Sequence, residues 1–245
     1  MRPNAEGEQQ ANEIVVLPGF DGAGALRAAF VQALGERHPA RAVEYPNRTL
    51  DTLQGYARFA AGAVGNESRP VLIAESFSGL VAAKWAARDP HVAGIVLCGA
   101  FARSPVPWAA LGASMPAVAQ FLGASVMAPM GIASGDPARR RWGEALAGAL
   151  RTLERDVIAE RLRLIALSDV RPELRMLRIP VVLAQFDDDL VIGSRARDEL
   201  AQSCPGAEVI RIPGPHFAIE TRPRETAAAI LPRIASWFAR PREAA

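Results

Sequence analysis

"PVLIAESFSGLVAAKWAARDP", residues 70–90, changes its apolar period halfway along. Val71, Leu72, Ile73 and Ala74 form an unbroken apolar run, the mark of a strand buried on both faces. From about Phe77 to Arg88 the spacing turns helical, and Asp89-Pro90 ends it, because proline disfavours helix in the residue before it. Ser76 stands at the joint, with small residues two places to either side, Ala74 and Ser78, and Gly79 next. A serine there has two readings. It caps the helix, since its oxygen accepts well from free N–H groups of the first turn. Alternatively it is a nucleophile on a sharp strand-to-helix turn, where crowding demands small neighbours two places away. The usual form of that turn is G-x-S-x-G, and here Ala74 and Ser78 replace both glycines.

Outward from this stretch the same rhythm recurs. Strand-like runs lie at 13–19 (EIVVLPG), 40–45, 92–101 (VAGIVLCGAF), 179–186 (IPVVLAQF) and 207–212. Helical spacing follows at 25–36, 50–64, 194–202 and 223–239. Apolar strands alternating with helices predict an α/β fold, a mainly parallel central sheet with helices on both faces. Between 103 and 178 the rhythm fails and only proline-punctuated helical pieces appear, such as 139–150 and 152–167. An unstructured loop of that length is implausible in a compact domain. The segment is read as a helical lid inserted into a core of 13–102 and 179–240, with 1–12 a polar tail.

Composition narrows the function. Of 245 residues half are apolar and the net charge is +2. The only basic run, Arg139-Arg140-Arg141, reads as a solvated helix start, so nucleic acid is not an expected partner. Cys98 and Cys204 offer neither a disulfide framework nor a zinc spacing. No segment has the pattern of a signal peptide or the length of a membrane span. A cytoplasmic protein without metal or cofactor is expected.

In open parallel sheets ligands bind beyond the carboxyl ends of the strands, so the residues just after each strand carry the chemistry. Ser76 follows the third strand, the acids Asp187, Asp188 and Asp189 follow the fifth, and His216 follows the sixth in "IPGPHFAIE". His38 and His91 adjoin prolines in turns and are read as solvated. A bare acidic run is a poor metal signature, whereas an acid that orients a histidine suits the serine reading. The order serine, acid, histidine favours the nucleophile.

On these residues the chain resembles the α/β-hydrolase superfamily over nearly its whole length. "LPGFDG" (17–22) is similar to the family's turn after its first core strand, "AESFSG" (74–79) to its nucleophile elbow and "GPH" (214–216) to its histidine turn. "DDLVI" (188–192) is similar to its D-x-L-V-P segment. The resemblance implies Ser76 as nucleophile, His216 as base, Asp188 as the acid with Asp187 a possible substitute, and the backbone N–H groups of Phe20 and Phe77 as oxyanion hole.

The expected chemistry is acyl transfer through an acyl-enzyme on Ser76. The expected substrate is a small-molecule ester or thioester. Pro105, Pro107, Trp108, Leu111, Met115, Phe121, Leu122, Met127, Met130 and Ile132 in the lid either pack its helices on the core or form an apolar acyl pocket. Asp21 and Glu75 are read as structural hydrogen-bonding groups. The alternatives are an acyltransferase using the same intermediate, or a non-catalytic ligand-binding protein of the same fold. Oligomeric state is not legible.

Overall fold

The computed structural model describes residues 11–65, 68–105, 114–115 and 137–238. Six strands among them, β1 (Ala11–Leu17), β2 (Ala40–Ala42), β3 (Ser68–Glu75), β4 (Gly94–Cys98), β5 (Val181–Asp188) and β6 (Glu208–Pro215), form one sheet in the order β2-β1-β3-β4-β5-β6. Every neighbouring pair is parallel. The inner strands β3 and β4 are buried nearly throughout, which is why their sequences are apolar without alternation. Alternate residues still divide between two cores, as the pleat requires. Leu72 and Ala74 join Val15, Leu17, Phe77 and Leu80 on one face. Val71 and Ile73 join Ile14, Val16, Phe30 and Ile230 on the other.

The first face is covered by α2 (Leu53–Val64) and α3 (Ser78–Ala86), the second by α1 (Ala28–Gly35) and the later helix of residues Pro223–Ile234. Thr52, in extended conformation, caps α2 by accepting the Gly55 N–H at 3.0 Å. The helix expected at 25–36 is divided. Residues Gly24–Arg27 form a 3-10 turn with the Leu26 N–H on the Ala23 carbonyl, and the α-helix begins only at Ala28. β1 starts two residues before the expected boundary, because Ala11 and Asn12 already pair with Ser68 and Arg69. The Asn12 amide also donates to the Phe238 carbonyl at 3.0 Å.

Between β4 and β5 lie α4 (Pro137–Thr152), α5 (Arg155–Leu167) and α6 (Arg171–Met176). α4 and α5 fall where helical pieces were expected. Val157, Ile158, Leu162, Leu164 and Ile165 turn inward from α5. Of the apolar residues assigned to the expected lid, Met115 is exposed and Pro105 half-buried. Pro107, Trp108, Leu111, Phe121, Leu122, Met127, Met130 and Ile132 lie outside the described residues. The chain continues through α7 (Ser194–Ser203), the short α8 (Ala218–Thr221) and α9 (Pro223–Ile234). Among the described residues no helix is long and apolar enough to cross a membrane.

Gly94 opens β4 against the C-terminal end of the chain. A Cβ there would lie 2.4 Å from the Trp237 ring, which is buried. Gly94→Ala should therefore destabilise the protein by about 1–3 kcal/mol, the usual cost of overpacking a filled core. In urea unfolding this is a lower midpoint at unchanged slope.

Candidate active site

The carboxyl ends of β1, β3, β5 and β6 place Phe20, Ser76, Asp189 and His216 at one edge of the sheet. Ser76 has φ +49°, in the left-handed region that side chains other than glycine rarely adopt. Holding a serine there costs about 1–3 kcal/mol, and such strain persists only where the surroundings enforce it. The enforcing contacts are visible. The Ser76 N–H donates to the Cys98 carbonyl at the end of β4 at 3.0 Å, and the Ser76 carbonyl accepts from Gly79. Ser76 Oγ makes no hydrogen bond among the described residues, neither to the α3 N–H groups nor to the imidazole. The helix-cap reading therefore has no bond to support it. Catalytic hydrogen bonds often tighten only when substrate is present.

Ser78 and Gly79 explain how the turn does without its two usual glycines. Ser78 Oγ donates to the Pro18 carbonyl and contacts Tyr45 Oη at 2.8 Å. Its hydroxyl thus stitches the Ser76 turn to the loop after β1. The close helix–strand contact falls one place later, where a Cβ on Gly79 would come within 2.6 Å of Ala100 Cβ.

His216 is buried, and its Nδ1 lies 2.8 Å from Asp189 Oδ2. An ionised carboxylate only accepts, so Nδ1 carries the proton and Nε2 is left with its lone pair. This corrects the expected acid: the partner is Asp189, neither Asp188 nor Asp187. The register between β5 and β6 shifts between Phe186 and Asp188, and Asp188 stays in the ladder opposite Pro215 with its side chain exposed. Asp187 is also exposed and pairs with Arg211 at 2.6 Å. Asp189, the first residue beyond the strand, turns inward, and its Oδ1 accepts the N–H groups of Val191 and Ile192 at 2.8 Å each. Gly99 makes room for the pair. It has φ +51°, and a Cβ there would lie 3.0 Å from His216 Nδ1 and 3.4 Å from Asp189 Oδ2.

The backbone N–H groups of Phe20 and Phe77 have no protein acceptor among the described residues. The turn bearing Phe20 is held from two sides. Arg161 of α5, wholly buried, donates from Nη1 to the Phe20 carbonyl at 2.7 Å and from Nε to Tyr56 Oη at 3.1 Å. Its guanidinium also lies over the rings of Tyr45 and Tyr56. Burial pushes the Tyr56 phenol up to about 12. Both tyrosines are thus neutral packing groups with a hydrogen-bonding tip. The other side of the turn is Arg27, also wholly buried, whose guanidinium takes both oxygens of Asp21 and one of Glu75. Asp21 and Glu75 are structural hydrogen-bonding groups, as the sequence suggests. Gly99, Arg27 and Arg161 have no local sequence signal, because their partners are distant in the chain. From α4, the Trp142 ring packs at a 40° tilt against Phe217 with centroids 4.5 Å apart, next to His216. Among the described residues no three His, Cys, Asp or Glu side chains gather to hold a metal ion.

A parallel sheet with a strained serine turn after one inner strand, and a His–Asp pair after two others, is the α/β-hydrolase architecture. A model of the alpha/beta hydrolase family matches residues 14–229, and the chain belongs to that family. No curated protein sequence matches it. Among solved structures it is similar to a thermophilic esterase from Thermogutta terrifontis, with TM-score 0.79, 17% identity and 93% and 90% of the two chains covered. It is also similar to an enol-lactonase from Burkholderia xenovorans LB400 (TM-score 0.70, 19% identity, 96% and 94% covered). A third is a bromoperoxidase from Bacillus anthracis (TM-score 0.73, 15% identity, 92% of each covered). At these identities the likeness is one of fold.

Proposed function

We propose that the protein is a serine hydrolase that cleaves a carboxylic ester or thioester through an acyl-enzyme on Ser76. The observation that carries this reading is the buried Asp189–His216 pair at the sheet edge where Ser76 is held at positive φ. In the first step Nε2 of His216 takes the Ser76 hydroxyl proton as Oγ attacks the carbonyl carbon, and Asp189 stabilises the imidazolium that forms. The N–H groups of Phe20 and Phe77 receive the oxyanion, a donor pair in which each member is worth roughly 3 kcal/mol of barrier. Collapse of the tetrahedral species expels the alcohol or thiol, which takes the proton from His216. Water, activated by the same imidazole, then releases the acid. The names of two fold neighbours, an esterase and an enol-lactonase, agree with ester chemistry. An apolar acyl group is the substrate class suggested by the residues of the β4–β5 insertion.

Intact-mass labelling with a fluorophosphonate tests the nucleophile. One phosphonyl adduct per wild-type chain, mapped to Ser76, is the expected result, together with turnover of p-nitrophenyl esters that varies with chain length. Folded wild-type protein that neither labels nor turns over any ester would sink the reading. Transfer of the acyl group to an added alcohol in preference to water would make the protein an acyltransferase.

A further inference from the structure

Beneath the site lies a cluster of four buried ionisable side chains that the proposed mechanism does not use: Arg27, Asp21, Glu75 and Glu220. Each acid belongs to a different part of the site. Asp21 directly follows Phe20, Glu75 directly precedes Ser76, and Glu220 lies on α8, four residues past His216. Arg27 touches all three. Its Nη1 and Nη2 bond Asp21 at 2.5 and 2.8 Å, its Nε bonds Glu75 at 2.8 Å, and its Nη2 lies 3.0 Å from Glu220 Oε1. The cluster also backs the Gly19–Phe20 peptide, for a Cβ on Gly19 would lie 3.2 Å from both Arg27 Nη2 and Glu75 Oε1.

Such a cluster is a poor device for stability. Desolvating buried ions offsets most of their attraction, and well-packed apolar groups often serve as well. What a planar guanidinium supplies is direction: a rigid fork of donors that fixes several carboxylates at once. We propose that Arg27 is a positioning residue that locks the turns at 19–21, 75–77 and 216–220 into the single relative geometry needed for acyl transfer at Ser76. The inference rests on the serine-hydrolase reading and assigns that site its scaffold.

Glu220 takes part as a neutral acid. Both its oxygens and Glu75 Oε1 are buried without a hydrogen-bond partner, since the 3.0 Å approach to Arg27 is out of hydrogen-bond alignment. One proton shared between the two carboxyls would give two of these three oxygens a partner. Burial first, and then the neighbouring charge of Glu75, push the Glu220 carboxyl well above the ordinary carboxylate range.

The test compares wild type with Arg27→Lys, Glu220→Gln and Glu220→Leu. Steady-state turnover of a p-nitrophenyl ester is read at a temperature where near-UV circular dichroism shows each variant folded. Lysine keeps the charge but cannot span three acids, so kcat should fall about 10- to 100-fold, the scale of a roughly 1 Å misplacement, with KM nearly unchanged. Glu220→Leu should show the same kcat-selective loss, and Glu220→Gln, which keeps a neutral hydrogen-bonding group, should restore most of it. A merely structural role would lower the melting temperature and leave kcat of the folded protein intact. Folded Arg27→Lys with wild-type kcat would overturn the proposal. If Arg27→Lys does not fold, the Glu220 pair decides, and equal kcat for its leucine and glutamine variants would overturn it. Wild type that fails to label at Ser76 would count against the hydrolase reading, a different result from an active wild type that tolerates Arg27→Lys.

Discussion

Ser76→Ala and His216→Ala should each lower kcat for an activated ester by about 10⁶-fold, and the double variant should lower it no further. On the proposed serine-hydrolase mechanism, nucleophile and base act as one unit. Without Oγ there is no acyl-enzyme to form, and without Nε2 the hydroxyl keeps its proton. Whatever activity persists, roughly 10³–10⁴ over water in comparable sites, comes from substrate binding and the oxyanion donors, which both substitutions leave in place. Neither change should greatly unfold the protein. Alanine removes only the hydroxyl from Ser76, whose Oγ bonds nothing among the described residues. The loss of His216 leaves Asp189 Oδ1 satisfied by Val191 and Ile192 but strips buried Oδ2 of its partner, so this variant should lose about 1–3 kcal/mol of stability and still fold. The measurement is single-turnover and steady-state kinetics on the three variants beside wild type. Additive losses in the double variant would mean that Ser76 and His216 act in separate steps.

Much of this arrangement is legible in the sequence because it is local. The apolar runs of β3 and β4 announce inner strands, since burial on both faces removes the alternation that an edge strand keeps. β6 keeps it, with exposed Arg211 between buried Ile210 and Ile212. Ser76 is marked by its small neighbours and His216 by its place after a strand. The acid is not legible in the same way. Three adjacent aspartates are alike as residues, and the shifted register between Phe186 and Asp188 decides which of them turns inward. The resemblance to D-x-L-V-P favours Asp188, yet the residue that turns inward is Asp189, the first beyond β5. The supports of the site are harder still to read. Arg27 and Glu75 are 48 residues apart, and Arg161 and the Phe20 carbonyl 141. Such pairs exist only once the sheet has brought strand ends together, and neither leaves a period or a motif in the chain. Ser78 shows the converse. It weakens the match to a glycine pattern because its hydroxyl has a task a glycine cannot perform, bonding the Pro18 carbonyl.

Asp189→Asn should lower kcat by about 10⁴-fold while changing shape hardly at all. The size of the effect follows from where the two oxygens of Asp189 point. Oδ1 accepts two backbone N–H groups, from Val191 and Ile192, and Oδ2 faces His216 Nδ1. An asparagine must put its carbonyl oxygen at the first position, because its NH2 group there would meet two donors. The NH2 is then forced toward His216, where it can only donate. Nδ1 becomes the acceptor, the ring proton moves to Nε2, and the imidazole faces Ser76 as a donor that cannot take the hydroxyl proton. Because the N–H bonds to Val191 and Ile192 survive, unfolding in urea should change little. A large loss of kcat with preserved stability separates tautomer control from simple structural damage. Asp187→Asn and Asp188→Asn supply the contrast, since both side chains are exposed and Asp187 pairs with the half-exposed Arg211 on β6. Each should stay within about twofold of wild type, as solvated surface charges contribute little. Should Asp188→Asn prove the damaging change and Asp189→Asn the silent one, the orienting acid would be the residue favoured by motif, and the inward turn of Asp189 would have no part in the reaction.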